Sequence, residues 1–345
     1  MDVWETDAEG LAQMMADPLA WPSDGPRVVL LDVAGADELA LPFGMPVVVV
    51  GLCTDALGSS EAHHAQCDMV LGHDEVALVD DVVDTVGRNP VAASALVALL
   101  RTGSGALGSG ALDAGLLAES ATYAALQSGE EFQRWRSTHL RRPVADGPGG
   151  AGEPVLARRD GEVLHLTLHR PERRNALDVT MRDALAELLG LARVDATIRS
   201  IVLDGAGPAF CSGGDLDEFG TAADPSRAHL VRLERNLGAL FDSVSDRMTV
   251  HLHGAAIGSG IELAAFAHRV LATPDVQIAL PEVSMGLIPG AGGTVSVARR
   301  IGRHRLCRLA LTGERIGLRN ALEWGLVDGE LGTPSHESGR DAAQR

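Results

Sequence analysis

Two glutamates lie in apolar segments, where a charged carboxylate is unfavourable unless it has polar partners. Glu262 lies in the apolar run 261–267 directly after a glycine turn, and Glu282 follows Pro281 in a second apolar segment. A carboxylate in such surroundings must find polar partners, or its pKa must rise. The preceding turn contains Gly258, which lets the backbone turn sharply and leave amides free. Two carboxyl groups beside free amides are suited to polar addition next to a carbonyl group.

A second amide-rich turn spans residues 211–215, Cys-Ser-Gly-Gly-Asp. The backbone N–H groups of Gly214 and Ser259, one from each turn, could converge on one oxygen atom and form an oxyanion hole. Glycine turns of this kind are usually only tight turns, so neither identifies a site alone. Asp215 is more typical of a carboxylate that braces its loop than of a catalyst.

The order of predicted elements indicates an α/β fold with parallel strands. Continuous or alternating apolar runs predict strands at 27–33, 46–51, 163–169, 200–203 and 249–252. Residues 1–26 are interpreted as a short helix followed by a proline-rich lead-in. Further helices are predicted at 36–42, 91–100, 112–136, 177–192, 225–240, 261–268, 293–301, 303–312 and 318–324.

The stretch 143–152 is rich in glycine and proline and predicts a linker. It divides the chain into an N-terminal α/β domain, 1–142, and a second domain, 153–330. The polar tail 331–345 is expected to be disordered.

Composition restricts the partners. The net charge of −18 argues against binding nucleic acid or acidic lipid. No apolar run is long enough for a membrane span, and the acidic N-terminus does not resemble a signal peptide, so we expect a cytoplasmic protein.

Every basic residue is arginine, which excludes lysine Schiff-base chemistry. The four cysteines are widely spaced, and the His-His-x-x-Cys stretch 63–67 has no further ligand cluster, so we expect no metal.

Four stretches resemble the enoyl-CoA hydratase/isomerase (crotonase) family, in the family's order and with similar spacing. They are residues 169–177, 209–216, 254–263 and 281–294, within a similar region of about 155–328. The resemblance implies a crotonase-like spiral of ββα repeats and a coenzyme A thioester as substrate, with no other cofactor. It also implies a homo-oligomer, a trimer or a hexamer.

The resemblance also assigns roles to particular residues. It implies that Glu262 and Glu282 are the catalytic acids and that the amides of Gly214 and Ser259 form the oxyanion hole. It further implies that a second set of residues binds the coenzyme A part or the rest of the substrate: Arg173, Arg174, Asn175, Ala176, Ser212, Gly213, Asp215 and Gly258.

An enoyl-CoA hydratase is the leading interpretation, because two carboxyl groups sharing a water can both take and deliver a proton. An isomerase or a thioester hydrolase on the same fold stays open, and so does a non-catalytic partner subunit. The chain departs from the family in its short segment after Asp328, where members usually continue with helices. Residues 111–136 resemble those missing helices. We therefore hypothesise that residues 28–140 are a degenerate crotonase-like half whose helices cap the second domain.

Overall fold

A computed structural model of the chain describes residues 3–16, 27–32, 41, 44–53, 67–103, 110–139, 152–221 and 224–332. Several predicted features lie outside these ranges, namely most of the helix at 36–42, the linker up to residue 151, His63 and His64, and the tail beyond 332. The boundary between two domains therefore stays a prediction.

The N-terminal half is built on a four-stranded parallel sheet in the order β1-β2-β3-β4. Its strands are Val3–Thr6 (β1), Val28–Asp32 (β2), Val48–Cys53 (β3) and Met69–Gly72 (β4). Uninterrupted apolar runs form β2 and β3, as expected for strands covered on both faces. The helices of this half are Ala8–Ala16 (α1), Leu78–Arg88 (α2), Pro90–Arg101 (α3), Ala111–Gln127 (α4) and Glu130–Thr138 (α5).

The C-terminal half contains a six-stranded sheet in the order β12-β10-β8-β7-β6-β5. Its strands are Val155–Asp160 (β5), Val163–Leu168 (β6), Ser200–Gly205 (β7), Met248–Leu252 (β8), Arg269–Ala272 (β10) and Gly329–Glu330 (β12). All neighbours are parallel except β5 and β6, which form an antiparallel pair. A separate parallel pair is formed by Ala255–Ile257 (β9) and Gln277–Ala279 (β11).

The helices of the C-terminal half connect these strands. They are Val179–Val194 (α6), Pro225–Glu234 (α7), Leu237–Ser243 (α8), Ser259–Ala264 (α9), Gly293–Thr312 (α10) and Leu318–Trp324 (α11). The Asp224 side chain accepts hydrogen bonds from the first amides of α7, with Pro225 at the first helical position, as the sequence predicted. The two helices predicted at 293–301 and 303–312 are confirmed as the two parts of α10, separated at Gly302, whose φ of 80° and ψ of 160° are not helical.

The sequence predicted five of the twelve described strands and missed β1, β4, β5, β9, β10, β11 and β12, and the helix predicted at 225–240 is divided into α7 and α8. The strands β1 and β5 were not predicted, because both are largely exposed and lack an apolar run. The helical stretch 112–136 is divided into α4 and α5 at Gly129, where the backbone becomes extended.

One hydrophobic core contains residues of both halves, including Val82, Leu96, Leu306 and Leu309. At the edge of this core, Asp68 forms an ion pair with Arg101 at 2.5 Å, with side chains that are 1% and 2% exposed. An oxygen of Asp68 also lies 3.8 Å from Arg303 on α10. This buried pair therefore sits where the N-terminal sheet meets the C-terminal half.

We expect Asp68→Asn to lower the free energy of unfolding by about 3–5 kcal/mol, because it removes the negative charge that faces a buried guanidinium. Chemical denaturation measures this change. The matched control is Asp84→Asn, which breaks an exposed pair with Arg88 at 3.9 Å and should change stability by less than about 0.5 kcal/mol. Equal effects of the two variants would contradict the prediction.

Candidate active site

The predicted glycine turn connects β9 to α9. Gly258 has φ 50° and ψ −123°, and a Cβ atom there would lie only 2.4 Å from Oε1 of Glu282. Both the backbone conformation and the close approach of the carboxyl group therefore require glycine. The helix starts at Ser259 and ends at Ala264, whereas the sequence predicted 261–268. It is shorter because Phe266 and Ala267 bond three residues back, and turn geometry replaces the helix.

Glu262 is almost fully buried, with 2% exposure. Its Oε2 accepts hydrogen bonds from the amides of Ala291 at 2.7 Å and Gly293 at 2.9 Å. A Cβ on Gly293 would lie 2.6 Å from the Glu262 side chain, so this turn approaches the carboxyl group as closely as a backbone can. The two amides orient the carboxyl group and favour its charged form.

Glu282 begins a short 3₁₀ turn, Glu282–Met285, after Pro281. Its side chain is buried, with one oxygen against Gly258. The other oxygen, Oε2, is buried and has no hydrogen-bond partner in the described part of the chain. A carboxyl oxygen in that situation is well suited to carry a proton.

The two amide-rich turns lie side by side. A parallel bridge joins Cys211 to Ala256, and a Cβ on Gly213 would lie 3.3 Å from the carbonyl oxygen of Ile257. Within the described ranges, neither the Gly214 amide nor the Ser259 amide donates a hydrogen bond. Two free N–H groups from neighbouring turns are therefore available to an oxygen atom.

A single cavity of about 780 Å³ is lined by Glu262, Glu282, Gly214, Ser259 and Asp215. The structure thus places both predicted glutamates and both predicted amide donors on one cavity, although they come from three separate segments: the turn that contains Gly214, the helix that contains Ser259 and Glu262, and the turn that begins at Glu282. The cavity is also lined by residues of α4 and α7, so helices of both halves enclose it.

The other predicted substrate-binding residues lie beside this cavity rather than on its wall: Arg173, Arg174, Asn175, Ala176, Ser212, Gly213 and Gly258. Asn175 is fully buried, and its side chain accepts from the Arg170 amide and donates to the carbonyls of Ala206 and Ala209, each at 2.8 Å. Arg174 is exposed. Their role in binding coenzyme A stays a prediction.

The acidic residues of the neighbouring loop brace it by ion pairs. Asp215 is 3% exposed and pairs with Arg170 at 3.2 Å. Arg173 pairs with Asp217 at 3.2 Å. Arg173 therefore contributes to the shape of the loop through a contact that the sequence did not suggest.

A third buried glutamate of the site was missed. Glu119 on α4 accepts hydrogen bonds from the amide of Gly292 at 2.7 Å, the amide of Thr294 at 3.0 Å and the Thr294 hydroxyl at 2.7 Å. It lines the same cavity, with 2% exposure. The signal that identified Glu262, a carboxylate in an apolar helical run, was present here too, between Leu116 and Tyr123.

The three buried carboxyl groups hold their protons more tightly than usual. Burial raises the pKa of Glu282 to about 8 and the pKa of Glu119 to about 7. The pKa of Glu262 is raised well above its ordinary value, first by burial and then by the charges of Glu282 and Glu119. The amides of Ala291 and Gly293 oppose this shift. The three groups therefore share at least one proton at neutral pH.

We expect Glu119→Ala to lower the free energy of unfolding by about 1–3 kcal/mol, because two buried amides and a hydroxyl lose their acceptor. Urea denaturation measures the change. Glu187→Ala is the control, since Glu187 is an exposed residue of α6, and it should stay within about 0.5 kcal/mol of the wild type. A wild-type midpoint for Glu119→Ala would contradict the prediction.

The raised pKa of Glu282 predicts how its replacement affects stability across pH. Between pH 4.5 and about 8, Glu282 keeps its proton in the folded state but releases it in the unfolded chain. The free energy of unfolding of the wild type therefore falls as the pH rises through this interval. Glu282→Gln removes the titrating group and with it this decrease in the free energy of unfolding. We expect the stability of this variant relative to the wild type to increase across this interval and to level off above it, as measured by urea denaturation at a series of pH values. A constant difference would refute the prediction.

A sequence model of the enoyl-CoA hydratase/isomerase family matches residues 158–333. The 2,3-dehydroadipyl-CoA hydratase of Escherichia coli is 34% identical over 173 residues, which cover 50% of this chain and 67% of that protein. The 1,2-epoxyphenylacetyl-CoA isomerase of Escherichia coli is 34% identical over 180 residues, covering 51% and 68%.

The crystal structure of the enoyl-CoA hydratase from Thermoplasma volcanium is 31% identical to this chain and covers 52% of it, with 73% of that structure matched and a TM-score of 0.48. The C-terminal half is an α/β unit that contains the whole region matched by the family model. The chain belongs to the enoyl-CoA hydratase/isomerase family, a family of enzymes.

The described residues contain neither a helix that could cross a membrane nor a cluster of side chains that could hold a metal ion. No described helix combines the length and apolar character needed to cross a bilayer. In the same ranges, no group of three or more histidine, cysteine, aspartate or glutamate side chains is arranged to hold a metal ion.

Proposed function

We propose that this protein is an enoyl-CoA hydratase, which adds water across the α,β double bond of an acyl-CoA thioester. The observation that carries the proposal is the meeting of Glu262 and Glu282 with the free amides of Gly214 and Ser259 on one cavity. Membership of the family supports a coenzyme A thioester as the substrate class.

The amides of Gly214 and Ser259 would bind the thioester oxygen. When water adds to the β carbon, electron density moves to this oxygen and the acyl group becomes an enolate. Preorganised N–H donors stabilise that charge more than they stabilise the neutral carbonyl, which lowers the barrier. Neither amide has another acceptor in the described residues, so neither must break a bond to do this.

The glutamate pair would handle the protons. One carboxylate takes a proton from the water as its oxygen attacks the β carbon, and the other carboxylic acid delivers a proton to the α carbon of the enolate. Two protons and one oxygen are thus transferred, and the product is the β-hydroxyacyl thioester. General acid–base catalysis of this kind contributes about 10²–10⁴-fold to the rate.

The hydrogen bonds of the two residues suggest their roles. Two amides bind Oε2 of Glu262, which favours its ionised form and leaves its other oxygen for the water. Oε2 of Glu282 has no partner among the described residues and is free to carry a proton. Burial raises the pKa of both carboxyl groups, so the assignment rests on their different hydrogen bonds. Glu262 is therefore assigned as the general base and Glu282 as the general acid.

A double-bond isomerase is the second candidate. It is supported by the matching family model, whose description includes both enoyl-CoA hydratases and isomerases. The same two carboxyl groups could move a proton between carbons without adding water. A thioester hydrolase or a non-catalytic partner subunit has less support, because neither explains two buried carboxyl groups on the cavity.

The remaining proposals concern the whole chain. We propose a cytoplasmic homo-oligomer, a trimer or hexamer, on the basis of the family resemblance. The N-terminal half is proposed to be a degenerate crotonase-like half. The contacts of Glu119 with Gly292 and Thr294 support a capping role for its helices.

We expect Glu262→Gln and Glu282→Gln each to lower kcat for the hydration of crotonyl-CoA by about 10²–10⁴-fold, because glutamine keeps the shape but exchanges no proton. The loss of ultraviolet absorbance of the conjugated thioester measures the rate. Glu187→Gln, an exposed change on α6, is the control and should keep wild-type activity.

Mass spectrometry of the product separates the candidate reactions. Hydration adds the mass of one water, isomerisation leaves the mass unchanged, and hydrolysis releases free coenzyme A and an acid. A wild-type protein that converts no enoyl-CoA thioester, or variants that are as active as the wild type, would overturn the proposed function.

A further inference from the structure

Arg232 on α7 differs from the other arginines that line the cavity. Arg182 and Arg235 both form ion pairs with Asp183, at 2.9 and 2.8 Å, and Arg227 is exposed to solvent. Arg232 is partly buried, and it forms no ion pair with any described carboxylate. Its Nη2 is buried and has no hydrogen-bond partner in the described part of the chain.

Neutral groups of α4 hold the rest of this guanidinium. Nε donates to the Ser120 hydroxyl at 3.2 Å, and Nη1 donates to the Gln127 side chain at 3.4 Å. The Arg232 guanidinium carbon lies 4.9 Å from the centre of the Tyr123 ring. These contacts fix the position of the guanidinium, but none of them supplies a negative charge.

Tyr123 connects this cation to the glutamate site. Its ring packs against Gly290, where a Cβ atom would approach it to 2.4 Å. The next residue, Ala291, donates its amide to Glu262. Tyr123 and Arg232 both line the cavity that holds the carboxyl pair. Along the cavity wall, Tyr123 therefore lies between Glu262, at the proposed reaction centre, and Arg232.

A partly buried cation without a counter-charge is unfavourable unless a ligand supplies one. Burial lowers the pKa of Arg232, and this effect exceeds the attraction of Tyr123 and Glu119. A water molecule could accept a hydrogen bond from Nη2, but it would not neutralise the positive charge of the guanidinium. A carboxylate would satisfy both, and guanidinium and carboxylate have matching geometry.

We propose that the cavity selects acyl groups with a carboxylate at the end remote from the thioester, and that Arg232 recognises this carboxylate. The inference rests on the proposed function only in taking acyl-CoA thioesters as ligands. It deepens that function by naming a substrate class, ω-carboxyacyl thioesters, over acyl groups that end in a methyl group.

The test compares the binding of adipoyl-CoA and hexanoyl-CoA by calorimetry. The two ligands have the same chain length and differ in the terminal group. Both lack the double bond, so neither can be hydrated. We expect the wild-type protein to bind adipoyl-CoA at least about tenfold more tightly than hexanoyl-CoA, since a site built for a polar group discriminates strongly against its absence.

Arg232→Met removes the charge and keeps a side chain of similar length. We expect it to weaken adipoyl-CoA binding by about 10- to 100-fold and to change hexanoyl-CoA binding by less than about threefold. Arg232→Lys keeps a positive charge and should retain part of the preference. Arg193→Gln removes an exposed arginine near the end of α6 and should leave both dissociation constants unchanged. Circular dichroism and the thermal midpoint verify that each variant is folded.

The outcomes separate this inference from the proposed reaction. Equal affinity for the two thioesters, or a preference that survives Arg232→Met, overturns the inference even if crotonyl-CoA is hydrated. A preference that depends on Arg232 supports the inference even if no hydration is found. Binding of neither thioester overturns it as well.

Discussion

The amides of the turn from Gly290 to Thr294 bind two buried carboxyl groups, one from each half of the chain. Alternate amides along this turn face opposite sides, so Ala291 and Gly293 donate to Glu262 while Gly292 and Thr294 donate to Glu119. A carboxyl group can be buried at this depth only with such partners. The position of Glu262 therefore depends on a backbone segment that the N-terminal half holds from the other side.

Close approach of side chains to backbone is the second constraint on the site. Glu282 lies against Gly258 and Glu262 lies against Gly293, with no room for a Cβ atom at either glycine. Each glycine thus lets a carboxyl group lie closer to the backbone than a residue with a Cβ atom would allow. The same closeness explains the raised pKa values, because packing that excludes side chains also excludes water from the carboxyl groups.

The sequence was informative where one local signal was sufficient. A carboxylate in an apolar run identified Glu262 and Glu282, and uninterrupted apolar runs identified β2 and β3. The exposed strand β5 gave no such signal, since its place in the sheet depends on pairing with β6. The Asn175 side chain makes three hydrogen bonds within the protein that no local pattern indicated, and its contact with the substrate stays a prediction.

Long-range partners could not be predicted in the same way. Glu119 and Thr294 are separated by 175 residues, and no periodicity relates them. Arg232 is a similar case, because its environment is created by α4, more than a hundred residues earlier in the chain. Such pairs are set by how the two halves pack, which depends on total shape and apolar area rather than on local pattern.

Charge is distributed unevenly along the cavity. Glu262 and Glu119 are buried at the turn from Gly290 to Thr294, and Glu282 lines the same cavity, whereas Arg232 lies beyond the Tyr123 ring. In a chain with a net charge of −18, a partly buried cation beside a cavity with buried acids would be expected to pair with one of them. Arg232 does not pair with any described carboxylate, because Tyr123, Ser120 and Gln127 hold it in place. The wall therefore presents acid–base groups and a cation separately, and a ligand that spans the two sites would be oriented by its own charge.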